Sequence, residues 1–163
     1  MSEVPVTERQ DGPATRIERQ AHVLWIDHGD GGRGNLRGDS RAFSALPLSL
    51  GHDELDPGES HTTPGELLAA AQAASFVVTL ADLLARRGTP ARELTVDAIC
   101  QVQEDGYRRT VVGLRLRVAG RGTALDAAAF AESADAAVAC CPISHALSAA
   151  VTINVEAHLE GTT

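Results

Sequence analysis

Side chains that alternate in character along two segments, and a long apolar stretch ahead of them, set the frame of this chain. From Leu94 to Gln103, the residues Val96, Ala98, Cys100 and Val102 fall on one side of an extended backbone. From Arg109 to Ala119, Val112, Leu114, Leu116 and Val118 face one way and Arg115 and Arg117 the other. A period of two marks a half-buried strand, because successive side chains of a strand point to opposite faces. Gly106 lies between the runs, which predicts an antiparallel hairpin.

The stretch before the hairpin reads as a helix with both ends marked. Thr63 is a good N-cap, Pro64 suits the first helical position, and Glu66 can reach back to the cap to complete a capping box. Arg86 and Arg87 complement the dipole at the other end, and Gly88 stops the helix. Between them, Leu67 to Leu84 is apolar on nearly every side and crowded with small residues such as Ala69, Ala70, Ala73, Ala74 and Ser75. Such a helix is expected to be buried all round, in the centre of a domain or of a dimer.

The remaining signals are shorter. Thr15 to Asp27 reads as a strand around Val23-Leu24-Trp25-Ile26, and His28 to Asn35 as a glycine-rich hairpin turn. Leu36 to Ser40 reads as a turn leading into a second strand, Phe43 to Leu50, where Pro47 marks an edge. The glycine-rich turn does not suit a phosphate loop, which needs a helix immediately after it and a lysine. Asp126 caps a helix from Ala127 to about Ala139, Cys141-Pro142 breaks it, and a shorter helix runs from Ile143 to Ala149. Val151 to Leu159 closes as a strand with Val151, Ile153 and Val155 on one face. Strands, helix, strands, helices, strand: the order predicts an α+β fold with antiparallel pairing. Residues 1–13 read as a loose arm and residues 14–163 as a single domain.

Composition narrows the function classes. The chain has 163 residues, 44% of them hydrophobic and 22% charged, which suits one soluble domain with a real core. The 14 basic against 22 acidic residues leave a net charge of −8, which speaks against nucleic acid or an anionic membrane as partner. The three cysteines are too few and odd in number for a disulfide scaffold and point to a reducing cytoplasm. No signal peptide is readable, and Gln72, Ser75, Thr79 and Asp82 break the longest apolar stretch, so no membrane span is expected.

Candidate chemistry centres on Cys141. With Pro142 opening a helix, its side chain stands at an N-cap, where backbone amides favour a thiolate. Cys140 and Cys100 read as packing residues. Cys140, Cys141 and His145 come nearest to a metal cluster but lack a fourth ligand, so no metal and no cofactor is expected. Ser75 lies mid-helix without the frame of a hydrolase nucleophile, and its hydroxyl is expected to bond back to the carbonyl of Ala71.

Two segments carry a resemblance: Thr62-Thr-Pro-Gly-Glu-Leu-Leu-Ala-Ala-Ala-Gln-Ala-Ala-Ser-Phe76 and Ala136-Ala-Val-Ala-Cys-Cys-Pro-Ile-Ser-His-Ala-Leu147. Spaced like this with a hairpin between them, they resemble the OsmC/Ohr family of osmotically induced and organic-hydroperoxide-resistance proteins. The resemblance covers about residues 20–159. It implies an α+β fold with antiparallel sheets around a buried central helix, assembled as an intertwined homodimer. It also implies reduction of organic hydroperoxides by two cysteines, with an arginine and a glutamate activating the first thiol and a dithiol as reductant.

Carried over residue by residue, the resemblance puts the resolving cysteine at Cys141 and the peroxidatic position at Ser75. The activating glutamate falls on Gly65, with Glu66 one place along. The arginine aligns with Arg33, or, in the OsmC branch, with the strand position that here holds Ser49. A serine hydroxyl has neither the acidity nor the oxidation states of sulfur, so thiol peroxidase activity is expected to be lost or impaired, and Cys141 reads as a small buried residue retained from a catalytic ancestor in preference to a one-cysteine peroxidase served by an external thiol. The alternative is a non-catalytic module that keeps a pocket at the dimer interface for a small lipophilic molecule.

Overall fold

The computed structural model describes residues 16–26, 33–49, 61–106 and 108–160. Residues 1–15, 27–32, 50–60, 107 and 161–163 lie outside the described residues, and with them the N-terminal arm expected at 1–13 and most of the turn expected at His28 to Asn35. Strands β1 (Ala21–Ile26), β2 (Arg33–Gly38) and β3 (Leu46–Leu48) form one sheet in that order, both pairs antiparallel. Helix α1 (Pro64–Arg86) follows, then strands β4 (Glu93–Asp105) and β5 (Arg108–Arg121). Helices α2 (Ala127–Cys140) and α3 (Pro142–Leu147) lead to strand β6 (Thr152–Leu159), which completes a second sheet in the order β4-β5-β6.

Several sequence expectations change at this level. Residues 33–38 pair with β1 as a strand, where the glycine content had predicted a turn. The glycines are accommodated because rings cover them: a Cβ on Gly34 would lie 2.9 Å from the Trp25 indole and one on Gly38 would lie 2.8 Å from Phe43. The second strand shrinks from 43–50 to the three residues of β3, and the short helix ends at Leu147. β6 runs parallel to β5, not antiparallel, because the chain crosses over through α2 and α3 before it re-enters the sheet.

The hairpin of β4 and β5 is antiparallel as expected, but its register slips at Gln101/Val102. Gln101 pairs with Gly113 and Val102 with Val111, so Val112 is an extra residue and its side chain turns out to solvent. Past the bulge, Leu114, Leu116 and Val118 face the core as the period of two requires. On the outer face Arg117 meets Glu156 across the sheet at 3.2 Å, an exposed pair.

The core lies between this sheet and the helices. Phe76, Leu80 and Leu84 of α1 meet Leu116 and Val118 of β5 and Phe130, Ala134 and Ala137 of α2, with Cys141 among them. The Phe130 ring closes over Gly120, where a Cβ would come within 2.5 Å of it.

α1 is not buried all round. Its inner face, Ala69, Gln72, Phe76, Leu80 and Leu84, follows the helical period. Its outer face, including Ala70, Ala74 and Val78, is open, with Val78 68% exposed. By length and composition alone α1 would suffice to cross a membrane, despite its interrupting polar residues. Exposed Val23, Leu24, Trp25 and Ile26 likewise leave β1 without cover.

Candidate functional site

α1 begins where Thr63 accepts a hydrogen bond from the Glu66 N–H at 3.2 Å. The Glu66 carboxylate accepts from the hydroxyl of Thr62 at 3.0 Å, so it ties down the residue before the cap. This anchored first turn fixes the rotation of α1. Gln72 and Ser75, one turn apart, then face the break between α2 and α3.

Cys141 is carried to that point by the end of α2. Its N–H donates to the Ala137 carbonyl at 2.8 Å, and its own carbonyl accepts from the His145 N–H at 2.9 Å. The residue therefore belongs to both helices at once, and its side chain is wholly buried. The Cys141 thiol donates to Ser75 Oγ at 3.1 Å. Ser75 thus faces Cys141, not the Ala71 carbonyl.

Gln72 completes the cluster. Its Nε2 donates to Ser144 Oγ at 2.7 Å and lies 4.0 Å from the Cys141 sulfur. The side chain is fully buried, and Oε1 has no hydrogen-bond partner. Turning the amide over would let Ser144 donate to Oε1 but put the NH2 group where Oε1 now lacks a partner, so a polar group stays unpaired in either orientation. Such a group costs about 1–3 kcal/mol. No local cue marks Gln72, because a glutamine amid alanines shows its burial only after packing.

Burial by itself pushes the Cys141 thiol up. The hydroxyls of Ser144 and Ser75 and the backbone amides of Ser144 and Ile143 outweigh it and hold the thiol below the ordinary cysteine value. Cys100 moves the other way: burial raises it. Cys100 is half-buried beside Gly65, and Cys140 is exposed at the end of α2, where a core position had been expected. No group of three or more His, Cys, Asp or Glu side chains able to hold a metal occurs among the described residues.

The other candidates lie apart from this pair. Arg33 starts β2 and its guanidinium meets His61 Nε2 at 3.3 Å. Ser49, just past β3, is buried with its N–H on the Thr62 carbonyl at 3.0 Å. Gly65 and Glu66 belong to the first turn of α1. Of the sequence-derived site, the structure brings Ser75 and Cys141 into contact and places Arg33 and Glu66 around the entry to α1.

Residues 57–156 match the family model described as OsmC-like protein. The chain belongs to the OsmC family. It is 32% identical over 142 residues to peroxiredoxin OsmC of Escherichia coli K12, spanning 86% of this chain and 96% of that protein. Among solved structures, the fold is similar to an organic hydroperoxide resistance protein OsmC from Legionella pneumophila, with a TM-score of 0.68 and 18% identity. That match covers 89% of this chain and 99% of the other. OhrB of Bacillus subtilis, an organic hydroperoxide resistance protein, is similar with a TM-score of 0.63 and 22% identity over 85% of this chain and 97% of that one. An OsmC-like protein from Vibrio cholerae gives a TM-score of 0.69 at 16% identity, over 87% of this chain and 99% of that one.

Proposed function

We propose that this OsmC-family chain derives from the organic-hydroperoxide detoxification system but does not run its two-cysteine cycle. The contact of Ser75 Oγ with Cys141 Sγ at 3.1 Å carries this reading. It is the relation expected of peroxidatic and resolving positions, with oxygen in place of one sulfur. Reduction of a hydroperoxide requires a thiolate to attack the O–O bond, releasing an alcohol and leaving a sulfenic acid. A second thiol then expels water and forms the disulfide. Ser75 cannot take the first step. Cys141 is wholly buried, so a peroxide does not reach it directly.

A second reading is favoured by a separate observation, an apolar cavity at the first turn of α1. A family member without the peroxidatic thiol keeps the capacity to bind a lipophilic molecule without altering it. Both readings place the protein in the cytoplasm as a homodimer, with no nucleic-acid or membrane partner. The homodimer is supported by the open apolar faces of α1 and β1, each of which calls for cover.

The test is consumption of cumene hydroperoxide by the wild-type protein, with dihydrolipoamide or dithiothreitol as reductant. The expected result is no turnover above the uncatalysed reaction. Turnover at an enzymatic rate that Cys141→Ser abolishes would overturn the reading.

A further inference from the structure

We propose that the cavity between the start of β1 and the turn that follows β2 binds a small phosphorylated polyol. It shares no residue with the Ser75–Cys141 cluster and is independent of the peroxidase reading. The cavity is about 540 Å³, within the usual range for small-molecule sites, and Gln20, His22, Arg37, Asp39, Arg41 and Ser44 border it.

Its charge is set against that of the chain. His22 and Arg37 are direct partners across β1 and β2, so their side chains stand on the same face of the sheet. Elsewhere Arg86, Arg109, Arg117 and Arg121 each pair with a carboxylate. Among the described residues Arg37 and Arg41 have no such partner, although Asp39 lies on the same rim. Two guanidinium charges against one carboxylate leave the cavity at +1, in a chain whose total is −8. Such a spot attracts anions.

The backbone singles out the same place. Arg41 has a φ of 61°, and among the described residues it is the one non-glycine in the left-handed region. Glycine would adopt that conformation freely, so the turn keeps a guanidinium where backbone preference calls for none. Hydrogen bonds hold the strained turn: the Arg41 N–H donates to the Gly38 carbonyl and the Gly38 N–H to the Phe43 carbonyl, both at 3.0 Å. The Asp39 N–H donates to the Gln20 carbonyl at 3.0 Å and ties the turn to the chain entering β1. Strain fixed in this way marks positions kept for a ligand.

The lining selects the ligand. Guanidinium groups present paired N–H donors that match a phosphate, and the Ser44 hydroxyl and the His22 ring N–H are further donors. The Asp39 carboxylate only accepts, so it opposes a bare phosphate but takes the hydroxyl protons of a polyol, and the Gln20 amide can donate or accept. Two cations for the phosphate and one carboxylate for the hydroxyls favour the ester over either half alone.

Calorimetric titration of the full chain at low ionic strength with glycerol phosphate, inorganic phosphate and glycerol tests this. The expected result is one glycerol phosphate site per chain, with inorganic phosphate bound more weakly and glycerol not detectably. Arg41→Gly should weaken glycerol phosphate binding by about tenfold or more without lowering the melting temperature, because glycine takes the positive φ freely. Arg37→Gln, at an exposed strand position, should weaken binding likewise and leaves the turn untouched. Asp39→Asn should raise the affinity for inorganic phosphate and narrow its margin below glycerol phosphate. Absence of glycerol phosphate binding, equally tight binding of glycerol or of inorganic phosphate, binding that neither arginine variant weakens, or an unchanged margin in Asp39→Asn would overturn the proposal.

Discussion

Ser75→Cys converts the contact at the centre of this molecule into a pair of thiols. The oxygen and sulfur now stand 3.1 Å apart, and a disulfide needs about 2.05 Å between sulfurs, so a shift of roughly 1 Å suffices. On exposure to cumene hydroperoxide the introduced thiol should be oxidised to a sulfenic acid, releasing cumyl alcohol. Condensation with Cys141 should then release water and close the bridge. The bridged residues are separated by 66 positions, and a loop of that length corresponds to about 4 kcal/mol of stabilisation in the chain-entropy treatment. At about 2–4 °C per kcal/mol for a domain of this size, the oxidised variant should melt on the order of 10 °C above its reduced form. The assay is thermal unfolding with and without dithiothreitol, alongside thiol titration before and after peroxide. Thiols that remain titratable after peroxide, with identical melting in both states, would show that the two positions do not meet as described.

Three further outcomes follow from particular contacts. The Cys141 thiol, followed by absorbance at 240 nm in a Cys100→Ser, Cys140→Ser background, should ionise below an ordinary cysteine, and Ser75→Ala should move it upward. Because its folded value lies below its unfolded one, the associated stability is complete above the ordinary thiol value and is lost as pH falls through the folded value, so Cys141→Ala should lower stability at every pH through lost core packing and remove this alkaline increment in addition. Gly120→Ala should destabilise the chain by about 1–3 kcal/mol by denaturant unfolding, and by less in a Phe130→Leu background, because the added methyl group meets that ring. If the proposed homodimer forms through the open face of α1, the wild type should sediment as a dimer and Val78→Glu as a monomer with unchanged far-ultraviolet circular dichroism; a monomeric wild type or an unaltered dimer would refute that interface.

Features that depend on near neighbours were legible along the chain. The ends of α1 were readable because Thr63, Pro64 and Gly88 act within a turn or two of backbone. The alternation of β4 and β5 was readable because a strand exposes its period directly, and the cap of α2 because Asp126 bonds to the Ala129 N–H only three residues on. The pairing of Ser75 with Cys141 was also accessible, through two motifs whose resemblance to a family carried long-range information that local propensity lacks.

Other features arise only from contacts between distant segments. β2 forms where glycines argued for a turn, because pairing with β1 and rings over Gly34 and Gly38 outweigh backbone preference. β6 is parallel because the crossover through α2 and α3 sets its direction, and no feature of residues 152–159 encodes that. The slip that turns Val112 outward, the buried amide of Gln72 and the cavity beside Gly65 arise from the meeting of elements distant in the chain. A side chain carries its own size and polarity in the sequence, but which neighbours desolvate it is fixed only when the layers close.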